Sequence, residues 1–254
     1  DDTEVLIARG LLYLDQGNYA DTYNDLGKAL EGAPGDYEAR YGHAVSAFEL
    51  RYFEQALDDM EWVREQTPDN PQVRLLYARA LVENERYADA ILAANEALDS
   101  ALSLTEQGYA LEVRGRAYYH TRDYTNALLD IDRALSIAQT GTRHYYRGLI
   151  LEATEDINGA ILEFEWVLFW DQVFAYPFAD DAETRLPSLY ELQAEARAAA
   201  AATVTPTETP TSTPTLTPTA TPTRPATSTP SPSPTVTPSS TRTPTPTSTV
   251  TTPP

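Results

Sequence analysis

The side chains that most often carry chemistry are scarce. The chain holds three histidines, His43, His120 and His144, and no cysteine. Zinc sites and helix-borne metalloprotease sites need two ligands of this kind at short fixed spacing on one face. None of the three histidines has a second histidine or a patterned carboxylate at such a spacing. The acid pairs Asp58-Asp59 and Asp180-Asp181 lack the spaced acidic loop that wraps calcium, and they read as solvated helix faces or N-terminal caps. Gly32 and Gly35 in "EGAPGD" match no phosphate-cradling fingerprint and read as a turn. The expectation is a protein with no catalytic residues, no cofactor and no metal.

Charge narrows the partners. The formal net charge is -20, and the segment from Thr203 onward carries only Glu208, Arg224 and Arg242, so the rest holds -21. Such an acidic body repels phosphate backbones and anionic lipid surfaces, which argues against nucleic acid. No apolar run is long enough to span a bilayer, so no membrane insertion is expected.

Of the 19 prolines, only Pro34, Pro68, Pro71, Pro177 and Pro187 precede Thr203. Residues 203–254 are almost all Thr, Pro and Ser, with too few large apolar side chains to offset the entropy of ordering a backbone. That stretch is expected to be an extended or non-globular tail. There is no Asn-x-Ser/Thr sequon, so any glycan would be O-linked. Candidate acceptors are Thr205, Thr207, Thr209, Thr211, Thr213, Thr215, Thr217, Thr219 and Thr221. The tail resembles the linkers of bacterial secreted and surface proteins, and the start at Asp1 fits a processed chain, so an extracellular or cell-surface location is expected.

What remains must position whatever site exists, and it repeats itself. "QGNYADTYNDLGKALEGAP", "LRYFEQALDDMEWVREQTP", "ERYADAILAANEAL", "TRDYTNALLDIDRAL" and "TEDINGAILEFEWVL" share one register. Tyr19, Phe53, Tyr87, Tyr124 and Ile157 are each followed three positions on by Thr22, Ala56, Ala90, Ala127 and Ala160. The second set is spaced by 34, 34, 37 and 33 residues. Upstream, a small residue recurs at Gly10, Ala44, Ala78, Gly115 and Gly148 within apolar patterns of helical period. This predicts helical hairpins that approach closely at the small residues and turn at Gly17, Arg51, Glu85, Arg122 and Glu155. The longer third interval predicts extra residues in the loop around Ser100 to Glu106.

The pattern resembles the tetratricopeptide repeat family over Thr3 to Gln172. It departs from the family at Thr22 and Ile157, and the boundary proline appears only at Pro34 and Pro68. The resemblance implies an all-α, right-handed superhelical solenoid of about five helix-turn-helix repeats over residues 1–179. An Ala-rich capping helix at 180–202 and the tail at 203–254 follow it. It also implies a concave groove lined by the first helices. The matching positions are Ile7, Leu11, Tyr41, Val45, Phe48, Leu75, Arg79, Tyr109, Arg116, Tyr119, Tyr145 and Leu149, an apolar and aromatic set that could equally serve as hairpin core. The Lys and Asn clamp with which chaperone-binding members hold a terminal carboxylate is absent, since Leu11, Val45, Arg79, Arg116 and Leu149 stand there.

A solenoid leaves its two ends uncovered. At the far end lie Phe164, Phe169, Trp170, Phe174, Tyr176 and Phe178, an expected assembly surface that meets the N-terminal repeat of another copy head to tail. Such a contact propagates into a filament when it does not close. The partner is thus expected to be the chain itself, or in the competing reading a foreign peptide or protein held by a tethered receptor module.

Overall fold

In a computed structural model of the protein, residues 2–203 are described, and every regular element among them is an α-helix. Five hairpins follow one another: α1 (Thr3–Asp15) with α2 (Tyr19–Gly32), α3 (Tyr37–Glu49) with α4 (Phe53–Gln66), α5 (Pro71–Glu83) with α6 (Tyr87–Leu98), α7 (Leu104–His120) with α8 (Tyr124–Ile137), and α9 (Gly141–Ala153) with α10 (Ile157–Phe174). A last helix, α11 (Ala179–Thr203), lies against α10. The tail and its candidate acceptors, Thr205 to Thr221, lie outside the described residues.

Side-chain caps start eight of the helices, though not α4 or α6. Asp2, Asn18, Asp36, Asn70, Ser103, Asp123, Thr140 and Asp156 each accept a hydrogen bond from a backbone N–H of the first turn, satisfying a donor the helix cannot. At α7 the cap is reciprocal: Ser103 Oγ accepts from Glu106 N–H, and Glu106 accepts from Ser103 N–H. The extra residues of the longer interval thus fall partly inside α7, which runs 17 residues, rather than wholly in the loop before it.

The hairpins turn where the repeat register places them. Gly17 has φ 70°, and Arg51, Glu85, Arg122 and Glu155 take the same left-handed conformation at φ 65°, 59°, 63° and 65°. Only the first turn carries the residue suited to it.

Close approach follows from small size. A Cβ on Gly10 would stand 2.5 Å from Leu26, on Gly115 2.9 Å from Ile131 and on Gly148 2.7 Å from Phe164. Ala44 and Ala78 in the same register are fully buried, as are Thr22, Ala56, Ala90, Ala127 and Ala160 across the hairpins. The largest apolar cluster runs through Met60, Val63, Val73 and Leu81 in the middle repeats, and a second holds Leu149, Ile161, Phe164, Leu186 and Leu189 where α9, α10 and α11 meet. Phe164, expected on the assembly surface, is fully buried there, because the hole left by Gly148 receives its ring.

Candidate functional site: a charged groove on the first helices

Because α1 packs on α3, α5 on α7 and α7 on α9, the first helices form one wall of the stack. A cavity of about 320 Å³ opens on it, lined by Phe48, Glu49, Arg51, Phe53, Arg79, Glu83, Tyr109, Glu112, Arg116 and Thr142. Four residues expected on the groove, Phe48, Arg79, Tyr109 and Arg116, come together here. Ile7, Leu11, Tyr41 and Val45 lie half-buried further toward the N-terminus.

The groove is not the apolar surface the sequence suggested. Leu75 is buried with Ala97, Leu102 and Ala110, and Leu149 is buried under α10 and α11, so both serve as hairpin core. Tyr119 and Tyr145 are taken up in the second cluster. The Tyr145 ring stacks on Phe178 at 4.6 Å, and its hydroxyl donates to Asp181 at 2.6 Å. Burial, and then that bond to a carboxylate, push the Tyr145 phenol far above its ordinary range.

Charged residues line much of the cavity. Glu49 and Glu83 share a register with His120, spaced by 34 and 37 residues, a period the apolar pattern hid. Arg116 donates to Glu83 at 2.8 Å, and its Nε is buried without an acceptor. Arg143, which is buried, donates to Glu112 at 2.8 Å and to the carbonyls of Ala134 and Ala138 at the end of α8, a favoured place for a cation. Arg79 differs from both. Its guanidinium lies 4.4 Å from the ring centre of Phe48 and 5.7 Å from that of Tyr109, and no carboxylate among the described residues pairs with it. Cation–π contacts thus hold a planar donor group in place while its N–H groups stay available to a ligand.

Each histidine stacks on an aromatic ring. His144 is buried: its Nδ1 meets Glu163 at 2.6 Å, its Nε2 meets Gln139 at 2.6 Å, and its ring stacks on Trp166 at 3.6 Å. His43 meets Asp59 at 2.5 Å and stacks on Tyr23, while His120 stacks on Tyr87. The pair Asp58-Asp59 therefore splits, with Asp58 exposed and Asp59 buried in a bond to His43 and Arg40. Asp180 is exposed, and Asp181 is bound by Arg185 and Tyr145. Among the described residues no cluster of three or more His, Asp or Glu could hold a metal ion, and no helix is long and apolar enough to cross a membrane.

At the far end, Phe169, Trp170 and Phe174 are exposed, while Tyr176 and Phe178 are half-buried. Trp166, Trp170, Phe174 and Tyr176 line an apolar cavity of about 440 Å³ with Gln139, Thr140 and Gly141. At the other end Val5 and Leu12 are exposed on α1.

A tetratricopeptide-repeat family model matches residues 41–103. A search of the curated proteins finds no match. Among solved structures, a thermophilic tetratricopeptide-repeat protein of Thermus thermophilus is 17% identical with a TM-score of 0.52, covering 74% of this chain and 99% of its own. MamA from Desulfovibrio magneticus is 14% identical with a TM-score of 0.55, covering 68% and 96%. A tetratricopeptide repeat protein from Parabacteroides merdae is 16% identical with a TM-score of 0.55, covering 77% and 76%. The five stacked hairpins and these solved structures show an all-α solenoid of the tetratricopeptide-repeat type, and the family model itself matches only residues 41–103.

Proposed function

We propose that the chain is a non-enzymatic protein-interaction module that holds an extended peptide in the groove of its first helices. One observation carries this reading: Arg79 is fixed between Phe48 and Tyr109 in an open cavity, with its hydrogen-bond donors unclaimed. A flat guanidinium flanked by rings suits a peptide backbone carbonyl or acidic side chain beside an apolar one. Linear peptides selected from a display library on the full chain test it. Arg79→Ala and Tyr109→Ala should each weaken the selected peptides roughly tenfold or more, the scale of an interface hot spot. Peptides that bind both variants as well as the parent refute the groove.

A second reading, self-association, is favoured by the exposed rings of Phe169, Trp170 and Phe174. Contact of that end with Val5 and Leu12 of the next copy is heterologous and extends into a filament. The hydroxyl- and proline-rich composition of residues 203–254 supports an extracellular setting, with the tail as a hydrated, O-glycosylated coat or spacer.

A further inference from the structure

Among the hairpins described, α10 is the second helix richest in large apolar side chains. Its sequence, INGAILEFEWVLFWDQVF, supplies Ala160, Ile161, Phe164 and Val167 to the packing with α9 and α11. A third face is left over. Leu162, Phe169 and Val173 are 65%, 70% and 67% exposed, and with the half-buried Trp166 they follow a 4-3-4 spacing, the seam of two packed helices. The position of Phe169 is held by Glu31, Glu65, Asp99 and Ser136 in the four preceding hairpins, all exposed. That outward position is polar in each of those units and turns aromatic in the last.

We propose that this face is the contact between two copies of the chain, packed antiparallel about a two-fold axis. The proposal rests on the self-association reading and replaces its open head-to-tail contact with a closed, isologous one. Three features select a second copy. The seam is symmetric about its midpoint, so reversing it sets Leu162 against Val173 and Trp166 against Phe169, a smaller residue on a larger one in each layer. The same reversal sets Glu165 against Trp170, so no carboxylate meets its own copy. The neighbouring acids are already engaged: Glu163 by His144 and Arg147, Glu165 by the Tyr190 hydroxyl, and Asp171 by the Tyr176 N–H. On a chain of net charge -20, this is a face where two copies meet without stacking unpaired acids.

Size is sufficient. With aromatic side chains burying 150–250 Å² each, the exposed parts of Leu162, Phe169, Trp170, Val173 and Phe174 offer roughly 550 Å² per copy, or about 1,100 Å² in all. Covered completely, that area reaches the lower bound of about 1,000 Å² for a specific interface. Trp166 and Trp170 also wall the 440 Å³ cavity beside the seam, a recess for a ring of the partner.

Light scattering on the full chain across concentration and salt, with tryptophan quenching, tests the proposal. The expected result is a species of twice the 28.1 kDa chain mass that tightens as salt screens the net charge. Phe169→Glu and Val173→Glu, both at exposed positions, should weaken it roughly thirtyfold or more, as loss of a buried anchor does. Leu92→Glu, exposed on α6, should leave it unchanged. Because the chain has no cysteine, Leu162→Cys with Val173→Cys should give an oxidised covalent dimer that neither single change gives. Growth beyond two copies overturns the two-fold while keeping self-association. A dimer indifferent to Phe169→Glu and Val173→Glu overturns the placement on α10. A monomer at every concentration overturns self-association itself, and a monomer with its tryptophans shielded from quencher assigns the seam to another occupant.

Discussion

Arg114 grips Asp130 across the α7/α8 hairpin with two hydrogen bonds, Nε to Oδ2 at 2.6 Å and Nη2 to Oδ1 at 2.8 Å. The same sixteen-residue step joins Arg9 to Asp25, His43 to Asp59 and Arg147 to Glu163. In the third hairpin the register holds Tyr77 and Ala93 instead, so one hairpin closes with apolar packing where three use an arginine–carboxylate pair and one a His–Asp contact.

Asp130 is 2% exposed, so Asp130→Ala should leave the Arg114 charge unpaired in a largely dry site and cost about 3 kcal/mol or more. The third hairpin supplies the rescue. Arg114→Tyr combined with Asp130→Ala copies Tyr77 and Ala93, and it should recover most of the loss, because a well-packed apolar pair often equals a buried ion pair. Urea melts of the single and double variants beside the parent measure both effects. A double variant as unstable as the single one would show that the hairpins are not interchangeable at this step.

The ion-pair ladder shows what the sequence displays and what it conceals. Size repeats faithfully: Gly or Ala at 10, 44, 78, 115 and 148 and Ala or Thr at 22, 56, 90, 127 and 160 give the hairpins, because a close helix crossing tolerates nothing larger. Chemistry at the step of sixteen varies among Arg9, His43, Tyr77, Arg114 and Arg147, so a search on apolar period passes over it. The groove misled for a related reason. Leu75 and Leu149 satisfy the groove register in sequence, yet a helix in a solenoid buries more than one face, and only the packing decides which. At the far end, Phe164 and Phe169 are both aromatic residues of α10, and the side of the helix alone makes one core and the other surface.

Turn geometry gives a second prediction. Glu85 and Arg122 hold φ of 59° and 63°, a region that costs an L-residue roughly 1–2 kcal/mol. Glu85→Gly and Arg122→Gly should each stabilise by up to about 1 kcal/mol, since the relief outweighs the added freedom of the unfolded chain. Gly17→Ala, at φ 70°, should act in the opposite sense by about 1 kcal/mol. Thermal unfolding in which all three changes shift the midpoint the same way would contradict this account.

The close crossings give a third. Gly148→Ala places a methyl 2.7 Å from the Phe164 ring, which has no room to withdraw, so a cost of about 1–3 kcal/mol is expected. Phe164→Leu in the same chain shortens the opposing side chain and should return part of it, although Phe164→Leu alone destabilises by opening a cavity. A double-mutant cycle measures the coupling, and strict additivity would mean that the two residues do not compete for one space.

Acid should loosen the bonded carboxylates of the ladder and of α11. The Arg9 guanidinium bonded to Asp25 holds that carboxyl below the usual range, and Arg185 does the same for Asp181. Burial alone would raise Glu163, but its hydrogen bonds with His144 and Arg147 outweigh burial and lower it. A carboxyl depressed in the folded state adds stability that is complete above its unfolded value, about pH 4, and that drains as pH falls through the folded value. The carboxylate contribution should therefore be nearly flat from neutrality to about pH 4 and drop below it, while His120, whose pKa burial lowers, adds a loss that begins as pH falls through its unfolded value of about 6.5. Glu163→Gln starts lower at pH 7, having lost the charge that Arg147 and His144 face, but it has one fewer group to protonate. The gap between parent and variant should narrow as the solution is acidified below about pH 4, in denaturant melts taken at successive pH values. A gap that stays constant from about pH 7 to about pH 2 would remove Glu163 from the groups that couple folding to protons, leaving Asp25 and Asp181 to account for the acid transition.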